Sequence, residues 1–124
     1  MSTLTVTNIK ATGETASRAV SGVSSAWLNF DGSGTVSIND SVNVSSLVDN
    51  TTGENTANFT NAHSSANYTG SALVKRETST GYPNMANIDG TVTASAIKII
   101  YTKYDNGSRT DCDLMTQTFH GDLA

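Results

Sequence analysis

The sequence is poor in cysteine, charge and long apolar runs, and each shortage excludes a class of protein. Its single cysteine, Cys112, excludes a disulfide within the chain, and the alternating pattern around it predicts a small buried side chain. Only seven Lys and Arg residues are present and they are scattered, so we expect no nucleic-acid partner. No stretch approaches the roughly 20 apolar residues of a membrane span. The start of the chain also lacks the basic and apolar regions of a secretory signal. We therefore expect no membrane insertion, and a protein made in a cytoplasm.

Thr, Ser, Asn and Gly dominate what is present, and there is one proline. Such a composition lacks the Leu, Glu and Lys runs that sustain helices and favours strands and turns. A chain of 124 residues is long enough for one hydrophobic core. The prediction is an all-β protein, a small antiparallel β-sandwich preceded by an extended arm. Residues 1–25 form the arm and residues 26–124 the sandwich.

The arm begins with alternating residues from Thr3 to Ile9, which predict a short strand with Leu4 and Val6 on one face. Lys10 to Ser25 is rich in small residues and has no periodicity. It is either a flexible leader or an arm that docks against a partner.

The stretch from Ala26 to Val48 contains the only tryptophan and a turn at Asp31-Gly32-Ser33-Gly34. Placing Phe30 opposite Thr35 puts one apolar set on a face that should fill the sandwich: Trp27, Val36 and Ile38. Leu28 and Phe30 then fall on a second apolar face, which we expect to meet either a second sheet or a neighbouring subunit.

The middle of the chain predicts short strands and polar loops. Beyond Val42 the alternation slips, which predicts one bent strand with a bulge at Ser45-Ser46. The further expectations are a loop over Asp49–Asn55, a strand over Thr56–Thr60 with Ala57 and Phe59 inward, and a strand over Tyr68–Val74.

Lys75 to Asn87 shows no strand pattern, so we expect a long exposed loop there. A loop with an aromatic residue at its tip is a reasonable place for recognition chemistry, although a surface loop without a function is the commoner outcome. The candidate recognition residues are Lys75, Arg76, Tyr82 and Pro83.

The C-terminal third predicts a hairpin, in which Thr91–Tyr104 pairs with Arg109–Phe119 around Asn106-Gly107. In this register Tyr101 faces Cys112, Ile99 faces Leu114 and Ile97 faces Thr116. Because the Ala96–Thr102 segment is apolar and nearly uncharged, it must be covered.

Residues that could carry catalysis or bind metal do not form a recognisable set. His63 and His120 have no second ligand at metal spacing, and Asp111 and Asp113 suit a solvated strand face. No nucleophile elbow, phosphate-binding loop or dinucleotide motif occurs. We therefore expect a protein without enzymatic activity, cofactor or metal.

Several short motifs resemble a module of tail-fibre and other virion proteins of tailed bacteriophages, particularly marine ones. They lie at Trp27 to Val36, Ser41 to Leu47, Asp49 to Gly53, Asn58 to Thr60 with Ala62, and Ala66 to Tyr68. Ala19 to Gly22, reading AVSG, is similar to the end of the arm in short proteins of this group. The loop before Tyr68 lacks the proline often found there.

The resemblance implies a jelly-roll-like or Ig-like β-sandwich in a virion appendage, without cofactor and commonly trimeric. The expected function is a tail-fibre or receptor-binding component that binds host surface glycan or other virion proteins. A head decoration protein bound to the capsid is the alternative, and a small carbohydrate-binding or hydrolytic domain ranks third. The residues assigned to attachment or trimer formation are Leu4, Val6, Ile9, Leu28 and Phe30.

Overall fold

A computed structural model describes residues 2–9, 18–19, 22–75 and 84–124, and within these ranges the protein is an all-β sandwich without an α-helix. The predicted fold class is confirmed. The strands are β1 (Asn8–Ile9), β2 (Arg18–Ala19), β3 (Ser24–Asp31), β4 (Ser37–Val42), β5 (Val44–Thr51), β6 (Glu54–Phe59), β7 (Thr69–Val74), β8 (Asn84–Ile88), β9 (Ala96–Lys103) and β10 (Met115–His120).

Two four-stranded antiparallel sheets form the sandwich, and β1 and β2 form a separate two-stranded ribbon. Sheet 1 has the order β4-β3-β10-β7 and sheet 2 has the order β5-β6-β9-β8. The hairpins β3-β4, β5-β6 and β8-β9 each stay in one sheet, whereas the other connections cross between the sheets. Inward side chains of both sheets therefore share one core.

The inward face of β3 is the opposite of the predicted one. Leu28 and Phe30 are 1% and 0% exposed and pack in the core, so they meet the second sheet and not a neighbouring subunit. Trp27 points outward and is half-buried, and Ile38 is 37% exposed. Of the three residues predicted to fill the sandwich, only Val36 packs against the core.

The predicted pairing of β3 with β4 is also wrong, because the turn is longer than the predicted one. Phe30 pairs with Ile38 and Asp31 with Ser37, and a bulge follows Asn29. The Asp31 carboxylate accepts hydrogen bonds from the backbone N–H and the hydroxyl of Ser33, which closes a local turn. The N–H of Gly32 donates to the carbonyl of Cys112 in another segment instead of closing the hairpin.

The strand predicted to bend near Val42 is divided between the two sheets. β4 ends at Val42 in sheet 1 and β5 begins at Val44 in sheet 2. Asn43 lies between them with a φ of 57°, in the left-handed region. The bulge predicted at Ser45-Ser46 is confirmed by the register shift between Val44 and Ser46.

The predicted C-terminal hairpin is wrong beyond its turn. β9 belongs to sheet 2 and β10 to sheet 1, and the only residual pairing described is an isolated bridge between Thr102 and Arg109. Crossing between the sheets resets the alternation, so Met115 faces the core and Thr116 faces outward. The buried face of β9 and the burial of Cys112 were predicted correctly.

Other elements agree with the sequence expectations to different extents. Ala57 and Phe59 face inward on β6, and β7 matches the predicted strand. The loop predicted over Asp49–Asn55 is a tight turn at Thr52-Gly53 between longer strands. In the segment Thr3–Ile9, only Asn8 and Ile9 form a strand, and they pair with Ala19 and Arg18. Residues 10–17 and 20–21 of the predicted arm lie outside the described ranges.

Aromatic rings occupy the centre of the core. Phe30 contacts Tyr101 edge to face with a centroid distance of 6.3 Å, and Phe59 contacts Phe119 in the same way at 5.3 Å. Within the described ranges, no helical segment has the length and apolar character needed to cross a bilayer.

Candidate functional site

The outer surface of sheet 1 carries the only tryptophan of the chain. Because Ala26, Leu28 and Phe30 point inward, strand alternation turns Trp27 and Asn29 to the opposite side. We call this surface the tryptophan face and define it by eight residues of the four strands: Trp27, Asn29, Asp40, Val42, Ser71, Leu73, Thr116 and Thr118.

Strand register arranges the tryptophan face in two adjacent rows. One row runs across the sheet through Val42, Trp27, Thr118 and Ser71. The next row runs through Asp40, Asn29, Thr116 and Leu73. The half-buried indole therefore lies on a flat, hydrogen-bonded support, with hydroxyl, amide and carboxylate groups in neighbouring positions.

Polar side chains beside the indole are held in place by local hydrogen bonds. The Asn39 Nδ2 donates to Asn29 Oδ1 at 3.0 Å, and the backbone N–H of Ser41 donates to Asp40 Oδ1 at 2.8 Å. At the end of β3, hydrogen bonds from the Ser33 hydroxyl and then its backbone N–H lower the pKa of Asp31. These polar side chains are thus held by hydrogen bonds, whereas Val42 and Leu73 of the same face are exposed apolar side chains.

Such a surface is suited to binding. An indole supplies a flat apolar area and one N–H donor, and tryptophan is among the residues that contribute most to binding free energy in interfaces. Hydroxyl and amide groups around it can fix the orientation of a polar ligand. The sequence interpretation placed Trp27 in the core and so missed this face.

The predicted recognition loop is only partly described. Lys75 is exposed, and its Nζ forms an ion pair with Asp113 Oδ2 at 2.6 Å. Arg76, Tyr82 and Pro83 lie outside the described residues. β8 begins at Asn84, so the last four residues of the loop predicted to end at Asn87 belong to a strand.

The five residues predicted for attachment are not brought together on one surface. Leu4 and Val6 are exposed in the segment before β1, and Ile9 belongs to β1. Leu28 and Phe30 are core residues of sheet 1, so they cannot present an attachment surface in the folded domain.

A second feature that the sequence interpretation missed is the cluster around His63. The His63 ring is 2% exposed, stacks on Tyr68 at 4.1 Å and contacts Phe59 edge to face at 4.7 Å. Its Nε2 lies 2.8 Å from Ser25 Oγ, which also donates to the carbonyl of Phe119. Burial raises the pKa of Tyr68 to about 12.

The separation of this Ser-His pair suits a nucleophile and its base, but the described residues supply no third group that would orient the base. The other ring nitrogen, Nδ1, is buried without a hydrogen-bond partner among the described residues, so no carboxylate orients the imidazole. Tyr68 stacks on the imidazole of His63, and Phe59 contacts it edge to face. The cluster thus attaches the loop after β6 to the starts of β3 and β7.

Charged side chains form a separate group on the outer side of sheet 2. Glu54 is mostly buried and is paired with Arg109 and, at 3.1 Å, with Lys98. Lys98 also contacts Asp89 at 2.8 Å, and its hydrogen bond is the main cause that lowers the pKa of Asp89. Two acidic and two basic side chains form these ion pairs, which hold the end of β8 against β6 and β9.

Metal-binding side chains are not grouped in the described part of the chain: no three His, Cys, Asp or Glu residues there could hold an ion together. Comparison with protein-family models, curated proteins and solved structures finds no match.

Proposed function

We propose that the protein is a structural component of a bacteriophage virion, a homotrimeric tail-fibre or receptor-binding protein that acts by binding and without catalysis. The observation that carries the proposal is the position of Trp27 on the outer face of sheet 1, among hydroxyl and amide groups and beside the exposed side chains of Val42 and Leu73. The sequence motif that resembles phage virion modules begins at this residue.

The chemistry of the tryptophan face favours a saccharide ligand on the host surface. The apolar face of a sugar ring packs on an aromatic ring, while its hydroxyl groups need donors and acceptors around that ring. Trp27 supplies the platform, and Asn29, Thr116 and Thr118 supply such groups in adjacent positions. A rigid sheet keeps these groups in place and lowers the entropic cost of binding.

Localisation in the particle tests the proposal. Antibodies against the purified protein should label the tail or its fibres in electron micrographs of the phage. Purified protein should also compete with the phage for adsorption to susceptible bacteria. Labelling of no part of the particle would contradict the proposal.

The alternative is a head decoration protein bound to the capsid. The observation that favours it is the exposed apolar residue Leu4, since large apolar side chains outside a core suit a permanent contact with another virion protein. Antibody labelling of the capsid, together with failure to compete for adsorption, would select this alternative. Detectable turnover of a glycan would instead support the hydrolytic domain.

A further inference from the structure

A cleft opens between the two sheets, along the edges of β7 and β8. Its volume is about 280 Å³. Its edges carry small, aliphatic and polar residues, among them Ala72, Ser71, Asn87 and Ile88, and core side chains such as Ile97 and Phe119 form its floor. Ile88 is 62% exposed although it points towards the floor, so the core is incompletely covered here.

The strands that border the cleft lack the usual protection of sheet edges. On their outer sides, β7 and β8 have no strand partner among the described residues, and neither strand contains a charged residue or proline. The opposite edges differ, since β4 and β5 are joined through Asn43, contain bulged registers and carry Asp40 and Asp49. Unprotected edges pair readily with another strand.

The same chain contains a segment with the complementary character. Ser2 to Thr7 forms no strand with any described residue, and its Leu4 is 84% exposed. Leu4 and Val6 alternate with threonines, so in an extended conformation both apolar side chains point to one side. From here on the arm means Ser2–Ile9, the first described part of the predicted arm over residues 1–25.

We propose that the arm of one copy docks as an added strand in the cleft of a second copy, with Leu4 and Val6 inserted over Ile97 and Phe119. An apolar cavity of about 150 Å³ can hold a benzene molecule. A cleft of about 280 Å³ therefore has room for two aliphatic side chains. The threonines of the arm then face solvent, as on an ordinary edge strand.

Charge agrees with this occupant. The arm, β7 and β8 are all uncharged, so docking buries no unpaired ion. Each subunit gives one arm and receives one, and such head-to-tail contacts form a ring when the rotation between neighbouring subunits closes.

The inference deepens the homotrimer named in the proposed function, because it assigns the contact that holds the subunits together. It does not depend on what the virion protein binds. A copy-to-copy contact is favoured because the arm of the single chain leaves its own cleft open, with Leu4 exposed. Loss of adsorption competition would therefore test the function, whereas the following experiments test only the subunit contact.

Crosslinking between separately prepared variants tests the position of the arm. Leu4→Cys and Ile88→Cys proteins are mixed and treated with a short bis-maleimide, with Cys112 retained because its side chain is buried. We expect a product containing one chain of each variant. Met85→Cys, on the outer side of the same strand, should give much less product with Leu4→Cys. Absence of the mixed product, or an equal yield with Met85→Cys, would overturn the proposal.

Assembly measured by light scattering gives an independent test with a matched pair. Leu4→Asp should raise the dissociation constant of the oligomer at least tenfold, the factor expected when one leucine is no longer buried. Thr5→Asp introduces the same charge on the outward side of the arm and should change it by less than about twofold. A wild-type protein that is monomeric at micromolar concentration, or equal effects of the two substitutions, would overturn the proposal.

Discussion

At the scale of single residues, the core contains one polar pair that the fold must accommodate. Gln117 is 1% exposed, and its Nε2 donates to the hydroxyl of Tyr101 at 2.7 Å. Its Oε1 has no hydrogen-bond partner among the described residues. Burial raises the pKa of Tyr101 to about 12, because the phenolate would lie among apolar side chains.

This phenol makes stability depend on pH in the alkaline range. Between pH 10 and 12 the unfolded chain releases the proton that the folded protein still holds. The contribution of Tyr101 to the free energy of unfolding is therefore constant below pH 10 and falls above it, by roughly 2 kcal/mol. Urea denaturation followed by circular dichroism from pH 8 to pH 11.5 measures this fall.

Two variants assign the pH dependence to its source. Tyr101→Phe should be about 1–3 kcal/mol less stable at pH 8, since Gln117 loses its partner, but should show a shallower alkaline decline. Tyr68 maintains part of the decline, because its pKa is also raised. Tyr104→Phe, at an exposed position, should keep the wild-type slope. Retention of the full wild-type decline by Tyr101→Phe would contradict the assignment of this pH dependence to Tyr101.

Alternation along single strands was predictable at the residue scale, but the direction of each face was not always assigned correctly. Ala57 and Phe59 were placed inward because their outward neighbours are polar. On β3, Trp27 was wrongly predicted to face the core. The alternation along the strand was the better evidence, because its inward positions are all apolar and its outward positions are mostly polar: Ala26, Leu28 and Phe30 against Ser25, Trp27, Asn29 and Asp31. The same pattern, Met115 and Phe119 around Gln117, would have shown that a glutamine lies in the core.

At the scale of elements, Asn43 joins the two sheets. Its Oδ1 accepts hydrogen bonds from the backbone N–H and Nδ2 of Asn61, at 2.8 and 3.0 Å. Its Nδ2 donates to the carbonyls of Ser25 and Asn61, both at 3.1 Å. Asparagine tolerates the left-handed conformation and satisfies neighbouring backbone groups, so one residue can turn the chain from β4 into β5.

Substitutions at this position separate the backbone contribution from the side-chain contribution. Asn43→Gly keeps the positive φ and loses the hydrogen bonds, so it should cost about 1–2 kcal/mol. Asn43→Ala loses both and should cost about 3 kcal/mol. Urea unfolding gives these values, and Asn39→Ala, at an exposed position, should stay within about 0.5 kcal/mol of wild type. Equal stabilities of the glycine and alanine variants would show that backbone strain does not contribute.

Element positions could be predicted better than element partners. The turns at Asp31–Gly34 and Asn106-Gly107 suggested hairpins, and local chemistry alone favours pairing of the flanking strands. Gly32 instead bonds to Cys112, and the chain after Arg109 crosses to sheet 1. These choices depend on long-range contacts in the core, which no local pattern contains.

At the scale of the whole molecule, the sandwich has two kinds of boundary. The β4 and β5 side is closed by Asn43 and by charged or bulged edges, whereas a cleft opens on the β7 and β8 side. The tryptophan face lies on the outer surface of sheet 1. The β-sandwich was predictable from composition and strand periodicity. The candidate site was not, because it follows from which side of sheet 1 faces solvent.

The tryptophan face should tolerate substitution without loss of the fold. Trp27 lies outside the core cluster, so Trp27→Ala should cost about 1 kcal/mol, whereas Phe30→Ala should cost about 3–5 kcal/mol. Thermal unfolding of the two variants measures this contrast. It also establishes that Trp27→Ala can be tested for binding as a folded protein.

Competition for phage adsorption is the most direct test of the central claim that the protein binds its target through Trp27. Increasing amounts of wild-type or Trp27→Ala protein are added to susceptible bacteria before the phage, and the adsorbed fraction is counted. Wild-type protein should reduce adsorption, and folded Trp27→Ala should need at least a tenfold higher concentration for the same effect. Equal competition by the two proteins would contradict the claim.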